Sequence, residues 1–492
     1  MLLLVCLGLR ALSGIALAQA TTNGLGIPFP AQRPEGAATP LPLNDTVSPQ
    51  THPAPTPTPS AAHLSISGRV RGYDFQRFNR VQNLANPNRH ALEFGAAPHL
   101  DYRIGDTPLN VGYTYGGATS FGFNGPEPIK NARIDNTLPG FPVNQPAHEL
   151  YLQYKDADNA FTVGTQELNH PWTPSSDSRI LPVSYEGIDA TIKLLDTLTF
   201  SATRILRFEH WNSSKFEPNT LLTATYPGTT PVRAYAFTPG TLRVAINFHP
   251  SERIVVAAED NEFYDIANLA YAEAKYHLAP SSKASPYAAV QYVAENSLGS
   301  NEVGVVRNHT IGGQLGANVL KGLLLAVSGD FSPPQYANLN AISAANATAG
   351  YFVGGGGTGD VVRIGPGRYK VAYGGLASPY TDTTAGDPLY TTQITQGLAD
   401  RRSAGNSYKA ALVYTSPTKQ LKLIAAQAWY QYSNDISRNL NSEFDADGTY
   451  YFNLVRAGAY KGFLVRVRIA PNQQPAIPYR FEYQRFQTEY NF

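Results

Sequence analysis

The chain has 492 residues, with 38 Lys and Arg against 37 Asp and Glu, and only 15% of its residues are charged. That fraction is low for a soluble protein of this length, and a net charge of +1 without a basic cluster argues against nucleic-acid binding. Beyond the N-terminal segment no run of 18 apolar residues occurs, which excludes a helical membrane protein. The 30 Tyr, 22 Phe, 42 Gly and 37 Pro are typical of an all-β chain, because they favour strands and turns.

The first 63 residues predict export followed by a segment without a core. Residues 1–20 have the pattern of a secretory signal peptide, with LLLVCLGL as the apolar part and Ala18-Gln19-Ala20 as the cleavage site. The single cysteine, Cys6, lies inside that signal, so no disulfide is expected in the mature chain. Residues 21–63 are rich in Pro, Thr and Ala, and we expect them to form an extended, disordered periplasmic leader.

Residues 64–492 alternate between apolar and polar residues in segments of about ten residues, which predicts about eighteen strands. The predicted strands are 64–78, 90–104, 108–118, 147–156, 159–167, 186–195, 197–205, 241–249, 252–260, 268–278, 286–294, 308–318, 321–329, 405–415, 420–432, 448–458, 462–470 and 479–491.

The lengths of the connections indicate which kind of β protein this is. Every second connection is turn-like, as at 105–107 and 196–197, whereas the alternate ones are long, as at 206–240 and 330–404. Bacterial outer-membrane barrels have short periplasmic turns and long external loops, and soluble sandwiches have no such rule. The predicted fold is therefore a transmembrane antiparallel β-barrel, with both termini on the periplasmic side.

The strand LVRVRIA shows the alternation most clearly. Val465, Val467 and Ile469 share one face, and Arg466 and Arg468 share the other, so one face suits lipid and the other suits anions. A barrel of this width with polar inward residues encloses an aqueous channel.

The terminal strand is aromatic and stops at Phe492, as outer-membrane barrels commonly do, and Phe492 is predicted to be the signal for barrel assembly. Alternation counted back from Phe492 places Arg485 inside the barrel and leaves Arg480 outside it.

Four segments, spread from the first strand to the last but one, resemble the OprD-type family of substrate-specific outer-membrane porins. They are VRGYDFQRFNR at the start of the barrel, SRILPVSYEG, AGDPLYTTQIT at 385–395, and FLVRVRIA. The resemblance implies a monomeric eighteen-stranded channel narrowed by inward-folded third and seventh loops, in which a ladder of arginines conducts carboxylate nutrients past an acidic patch. On the same resemblance the pore-lining residues are Arg71, Tyr73, Arg77, Arg179, Arg466, Arg468 and, on the facing loop, Asp387. For the terminal strand the family pattern supports either Arg480 or Arg485.

An arginine ladder has a physical reason of its own. A carboxylate that enters a constriction loses water, and guanidinium groups replace that water with charge-assisted, often bidentate, hydrogen bonds. Several moderate sites conduct better than one deep site, because each must be left as well as entered. The predicted function is passive uptake of organic acids, aromatic acids or amino acids, without catalysis and without a cofactor or metal.

Two alternatives from other classes stay open at this point. An outer-membrane hydrolase would need residues such as His148, Ser178 and Asp177 to converge, and a secreted soluble β-rich binding protein would need no lipid. Residues 445–448, Asp-Ala-Asp-Gly, resemble a fragment of a calcium loop, and we expect them to form an external turn. The expected partners are small carboxylates, outer-membrane lipid and the barrel-assembly machinery, with a monomer favoured over a trimer and no nucleic acid bound.

Overall fold

The computed structural model describes part of the chain in detail, and all of that part lies in one compact unit, Gln32–Phe492. The described residues are 64–79, 88–124, 142–175, 179–211, 213–218, 238–300, 307–333, 351–353, 357–359, 361–365, 368–371, 389–390, 405–432, 441–452, 462–473 and 481–492. The predicted signal peptide at 1–20 and the leader at 21–63 lie outside the described residues.

The unit is built from eighteen long antiparallel strands. The first nine are β1 (Leu64–Asn79), β2 (Arg89–Arg103), β3 (Leu109–Thr119), β4 (Val143–Lys155), β5 (Asn159–Gln166), β6 (Ser184–Leu195), β7 (Leu198–Glu209), β8 (Thr241–Ser251) and β9 (Ile254–Phe263). The others are β10 (Ala267–His277), β11 (Tyr287–Ser297), β12 (Arg307–Leu320), β13 (Leu323–Phe331), β14 (Gly405–Thr415), β15 (Leu421–Tyr432), β16 (Asn441–Tyr451), β17 (Gly462–Gln473) and β18 (Phe481–Asn491).

Each strand pairs with the next, and the sheet closes because β1 pairs with both β2 and β18. The closing register sets Arg71 opposite Glu489 and Arg77 opposite Tyr483. A two-residue strand, Phe216–Glu217, extends the sheet beside β7, and a short hairpin, Asn169–His170 with Thr173–Pro174, lies between β5 and β6. Two more short hairpins lie between β13 and β14. Closure leaves no long sheet edge, so the predicted β-barrel is confirmed.

The two faces of the strands differ as a membrane barrel requires. On β4, Leu150 is 51% exposed and Leu152 is 43% exposed on the outer surface. The inward positions carry polar residues, among them Gln145 on β4, Gln291 on β11 and Asp447 on β16, which are almost fully covered. No helix among the described residues is long and apolar enough to cross a membrane.

Most of the predicted strands match the observed ones to within a few residues, but the third strand from the end was wrong. It was predicted at 448–458 and runs over Asn441–Tyr451. The predicted external turn at 445–448 is wrong for the same reason, since Asp445 and Asp447 lie inside β16 and are buried on its inner face. Closely spaced acidic residues suggest a turn when the sequence is read locally. Here they belong to a strand, because the arginines that neutralise Asp447 lie on the next strand.

The predicted sorting of the connections holds with three exceptions. The turns at 156–158, 196–197 and 321–322 are short, and the loops between β7 and β8 and between β13 and β14 are long. The connection 264–266 is short where a long loop was expected, and 278–286 and 452–461 are longer than the other turns on their side. In the first case Asp265 adopts a positive φ of 60°, which permits the tight reversal.

Phe492 completes the closure of the barrel. Its backbone N–H donates to the carbonyl of Gly68 at 3.1 Å, and its carbonyl accepts from Gly68 N–H at 3.3 Å. Its ring stacks on Tyr490 with 6.2 Å between centroids, and a Cβ on Gly68 would lie 2.8 Å from the Phe492 ring. Deletion of Phe492 is expected to reduce the yield of folded barrel, because both the last pairing and this contact are lost. Heat-modifiable migration on a gel measures that yield, with Phe492→Tyr as the control that keeps the ring. Normal yield of the deletion would contradict the prediction.

Candidate functional site in the barrel lumen

Five arginines lie on one continuous stretch of the inner wall, where the sheet closes. Arg71 and Arg77 come from β1, Arg466 and Arg468 from β17, and Arg485 from β18, and we call this group the basic wall. Arg468 is 1% exposed and Arg485 is 2% exposed. The register places Arg468 directly opposite Arg485, so their positive charges are cross-strand neighbours.

The basic wall carries its own carboxylates. The Nε and Nη2 atoms of Arg466 donate to Asp447 Oδ2 at 2.9 and 2.7 Å, and Nε of Arg468 donates to the same oxygen at 2.9 Å. On the other side, Nε of Arg71 donates to Glu489 Oε2 at 2.5 Å. The basic wall therefore keeps a net positive charge, which Asp447 and Glu489 neutralise only in part.

A line of hydrogen bonds connects the arginines along β18. Nη2 of Arg485 donates to Gln487 Oε1 at 3.3 Å, and Nε2 of Gln487 donates to Glu489 Oε2 at 3.3 Å. Because Glu489 also accepts from Arg71, this line joins the arginine of β18 to that of β1. Arg485 lies on the covered face of β18, where alternation from Phe492 places it, and Arg480 lies outside the described residues.

Aromatic rings support the arginines. Cζ of Arg485 lies 4.9 Å from the Tyr73 ring centroid, and Cζ of Arg77 lies 5.4 Å from that of Phe75. Phe75 in turn packs edge-on against Tyr483, with 4.8 Å between centroids. Guanidinium groups held over rings lose little freedom when they bind a ligand.

The loop between β5 and β6 folds inward, as the sequence predicted. Ile180 and Leu181 are 1% exposed and belong to a buried cluster with wall residues that include Tyr73 and Tyr483. The carbonyl of Arg179 accepts from Nη1 of Arg71 at 3.3 Å, so this loop touches the basic wall. The guanidinium of Arg179 lies over Trp211, 3.9 Å from the ring centroid.

Glu167, the first residue after β5, fastens that loop to the wall. Its side chain forms an ion pair with Arg69, and its Oε1 accepts from Nε2 of the buried His148 at 2.8 Å. Its backbone N–H donates to Glu149 Oε1 at 3.0 Å. Burial acts to raise the pKa of Glu167, but the charge of Arg69 and the hydrogen bond from His148 outweigh it and hold that pKa well below its usual range.

A second loop contact lies on the opposite side of the barrel by strand order. Tyr390, between β13 and β14, donates from its hydroxyl to Glu273 Oε2 on β10 at 3.0 Å, and its carbonyl accepts from Ser328 Oγ at 3.0 Å. Tyr390 is buried with Tyr287 and Ala289. The predicted acidic residue of this loop, Asp387, lies outside the described residues.

The inner wall also holds a distant ion pair of the same chemistry. Nε and Nη2 of Arg243 on β8 donate to Glu259 Oε2 on β9 at 3.0 and 2.7 Å. Both residues are buried. This pair lies on the opposite side of the barrel from β17 by strand order, and it serves as a reference for the experiments below.

Sequence reasoning found the arginines and missed their acidic partners. From the sequence no role is assigned to Glu489, and Asp447 is assigned to a turn. Alternation of Glu443, Asp445 and Asp447 with Phe444 and Ala446 is the signal that could have identified an inward acidic face on β16.

The residues considered for a hydrolase do not form a catalytic arrangement among the described residues. His148 is engaged by Glu167, and Ser178 and Asp177 lie outside the described residues. Within the described part of the chain, no cluster of three or more His, Cys, Asp or Glu side chains could hold a metal ion.

Comparison with known proteins now adds to the geometry. Residues 149–352 match a family model described as outer membrane porin, OprD family. The match spans less than half of the chain, from β4 into the connection after β13. It confirms the resemblance to this family that was read from the sequence, and with it the expected location in the bacterial outer membrane. A search of curated proteins finds no match.

Solved structures share the fold of this chain at low identity. Acinetobacter baumannii OccAB3 is 12% identical with a TM-score of 0.63, covering 88% of this chain and 100% of its own. Pseudomonas aeruginosa OccK9 (OpdG) is 16% identical with a TM-score of 0.62, covering 87% and 98%. Pseudomonas aeruginosa OpdK is 12% identical with a TM-score of 0.61, covering 87% and 98%.

Proposed function

We propose that this porin carries small carboxylate-bearing nutrients passively into the periplasm through a constriction bordered by the basic wall. The observation that carries the proposal is the grouping of Arg466, Arg468 and Arg485 with the two arginines of β1 on one covered stretch of the lumen. A carboxylate passing that stretch meets successive guanidinium donors on adjacent strands, which replace the water it loses.

The inward loop supports the same function. Ile180 and Leu181 pack against the wall beside Tyr73, so the loop narrows the lumen next to the guanidinium groups. Reduced access of water strengthens the attraction between a carboxylate and these charges. An apolar loop next to fixed positive charges favours solutes that combine an apolar part with a carboxylate, as organic and aromatic acids do.

The similar porin OpdK was crystallised with vanillate, an aromatic carboxylate. At 12% identity the likeness extends to the fold, and the choice of substrate depends on the side chains of this chain. These include Tyr73, Phe75 and Tyr483, which are almost fully buried and pack beside the arginines.

Swelling of liposomes that contain the purified protein tests the function. Aromatic acids, short organic acids, amino acids and neutral sugars of similar size are compared at equal osmolarity. We expect at least one class of carboxylate to enter faster than the neutral sugars, because only the carboxylates gain the guanidinium contacts. Equal entry of carboxylates and sugars would contradict the proposal.

The family and the structural neighbours are channels, so we propose a transport role without catalysis. Outer-membrane lipid and the assembly machinery are the proposed partners, and a monomer is proposed because the basic wall and the inward loop both come from one chain.

A further inference from the structure

Asp447 borders the basic wall on the side of β17, and the function proposed above gives it no role. It lies on the inner face of β16, 5% exposed, with Arg468 directly opposite on β17. Its two oxygens accept from Nε of Arg466 at 3.0 and 2.9 Å, and Oδ2 also accepts from Nη2 of Arg466 at 2.7 Å and from Nε of Arg468 at 2.9 Å. One carboxylate is thus shared by two guanidinium groups.

The donors that Asp447 engages are the ones that a carboxylate solute would use. Guanidinium groups bind carboxylates through the paired Nε and Nη edge, which is the edge that Arg466 presents to Asp447. For Arg468, the Nε donor is taken. A passing anion therefore competes with Asp447 for donors that Asp447 also holds in place.

The charge balance leads to the same conclusion. Asp447 neutralises one of the two positive charges of Arg466 and Arg468, Arg485 opposite Arg468 adds a further positive charge, and burial strengthens every charge interaction here. A channel site must release its ion as well as bind it, so a partly neutralised pair conducts better than two uncompensated arginines.

We propose that Asp447 is a specificity-determining residue: it is a built-in counter-ion that positions Arg466 and Arg468 and limits how strongly they attract and hold anions. Only the carboxylate nature of the natural solute depends on the proposed function. The effect on simple anions follows from Asp447 and its two partners alone.

Asp447→Asn in reconstituted single channels tests the proposal, with the zero-current potential measured across a KCl gradient. Asparagine is close in shape and removes the charge, so we expect the permeability ratio of chloride to potassium to rise severalfold. The matched control is Glu259→Gln, which removes an inward carboxylate from the Arg243 pair on the opposite side of the barrel. We expect the control to change the ratio much less.

A double variant that removes one positive and one negative charge provides a second test. This test also applies if Asp447→Asn alone does not fold. Arg466→Gln alone should lower the ratio of chloride to potassium permeability, and Arg466→Gln combined with Asp447→Asn should restore it towards the wild-type value. Restoration would support the counter-ion role, and failure to restore the ratio would overturn it.

The remaining outcomes are also decisive. An unchanged ratio in Asp447→Asn, or an equal change in Glu259→Gln, would make Asp447 a wall residue without influence on selectivity. The KCl measurement contains no organic carboxylate, so it is independent of the swelling test. A shift in KCl selectivity in a channel that takes up no carboxylate would keep this proposal and count against the proposed function.

Discussion

Replacing Arg468 with Ala is expected to lower carboxylate uptake severalfold or more while neutral sugars leak at an equal or higher rate. Arg468 is covered, faces Arg485 across the strand pair and shares Asp447 with Arg466. Its loss removes charge-assisted hydrogen bonds of about 1.5–3 kcal/mol each, offset in part by the dehydration of the solute. The truncated side chain also widens the passage, which favours neutral solutes. Liposome swelling with both kinds of solute measures the two effects together.

Two matched variants separate charge from shape and from position. Arg468→Lys keeps the charge and loses the planar fork, so it should restore only part of the uptake. Arg243→Ala removes an inward, carboxylate-paired arginine on the opposite side of the barrel and should leave the ratio of carboxylate to sugar uptake nearly unchanged. A parallel fall of neutral and anionic uptake in Arg468→Ala would show that Arg468 is a structural wall residue. Arg179→Ala is expected to have a smaller effect, because the guanidinium of Arg179 lies over Trp211.

The second large effect is expected from Glu167→Gln, which should release the inward loop. The variant removes the ion pair with Arg69 and weakens the bond from His148, a loss of about 1–3 kcal/mol for groups that are mostly covered. With the loop less firmly held, the single-channel conductance should rise, its fluctuations should increase and selectivity should fall. Glu252→Gln, in the turn between β8 and β9, is the control at an exposed site. Conductance and noise equal to wild type would show that the apolar contacts of Ile180 and Leu181 hold the loop without Glu167.

The depressed pKa of Glu167 sets the pH range in which the loop stays closed. A carboxyl whose pKa is lower in the folded state contributes stability above its unfolded pKa, and that stability is lost as the pH falls through the folded value. Because the ordinary pKa of Glu is about 4.3, conductance should stay constant from neutral pH to about that value and rise only in more acid solution. Loop opening near pH 6 in the wild type would contradict the assignment to Glu167.

The sequence predicted the barrel because its signals are local. Alternation along one strand places Val467 and Ile469 outside and Arg466 and Arg468 inside, and no distant residue is needed to recognise it. The inward position of Arg485 followed in the same way from its spacing to Phe492. The alternation of short and long connections could be recognised from their lengths alone.

The partners of those residues could not be predicted, because they depend on register between strands. Asp447 meets Arg468 only through the pairing of β16 with β17, and the shift of the predicted strand to 448–458 concealed it. The ion pair of Glu167 with Arg69 joins residues 98 positions apart and depends on the closure of the barrel. Folding brings these charged residues together, and their separation along the chain does not indicate that they form a pair.

The permeability of benzoate relative to benzamide through the wild-type channel tests the central claim most directly. The two solutes have nearly the same size and share the aromatic ring, and they differ mainly in the charge that the basic wall is proposed to recognise. If the guanidinium groups select carboxylates, benzoate passes severalfold faster than benzamide at low salt, and the advantage shrinks as salt screens the charges. Equal permeabilities at low salt, or faster passage of benzamide, would contradict the claim that this porin selects carboxylates.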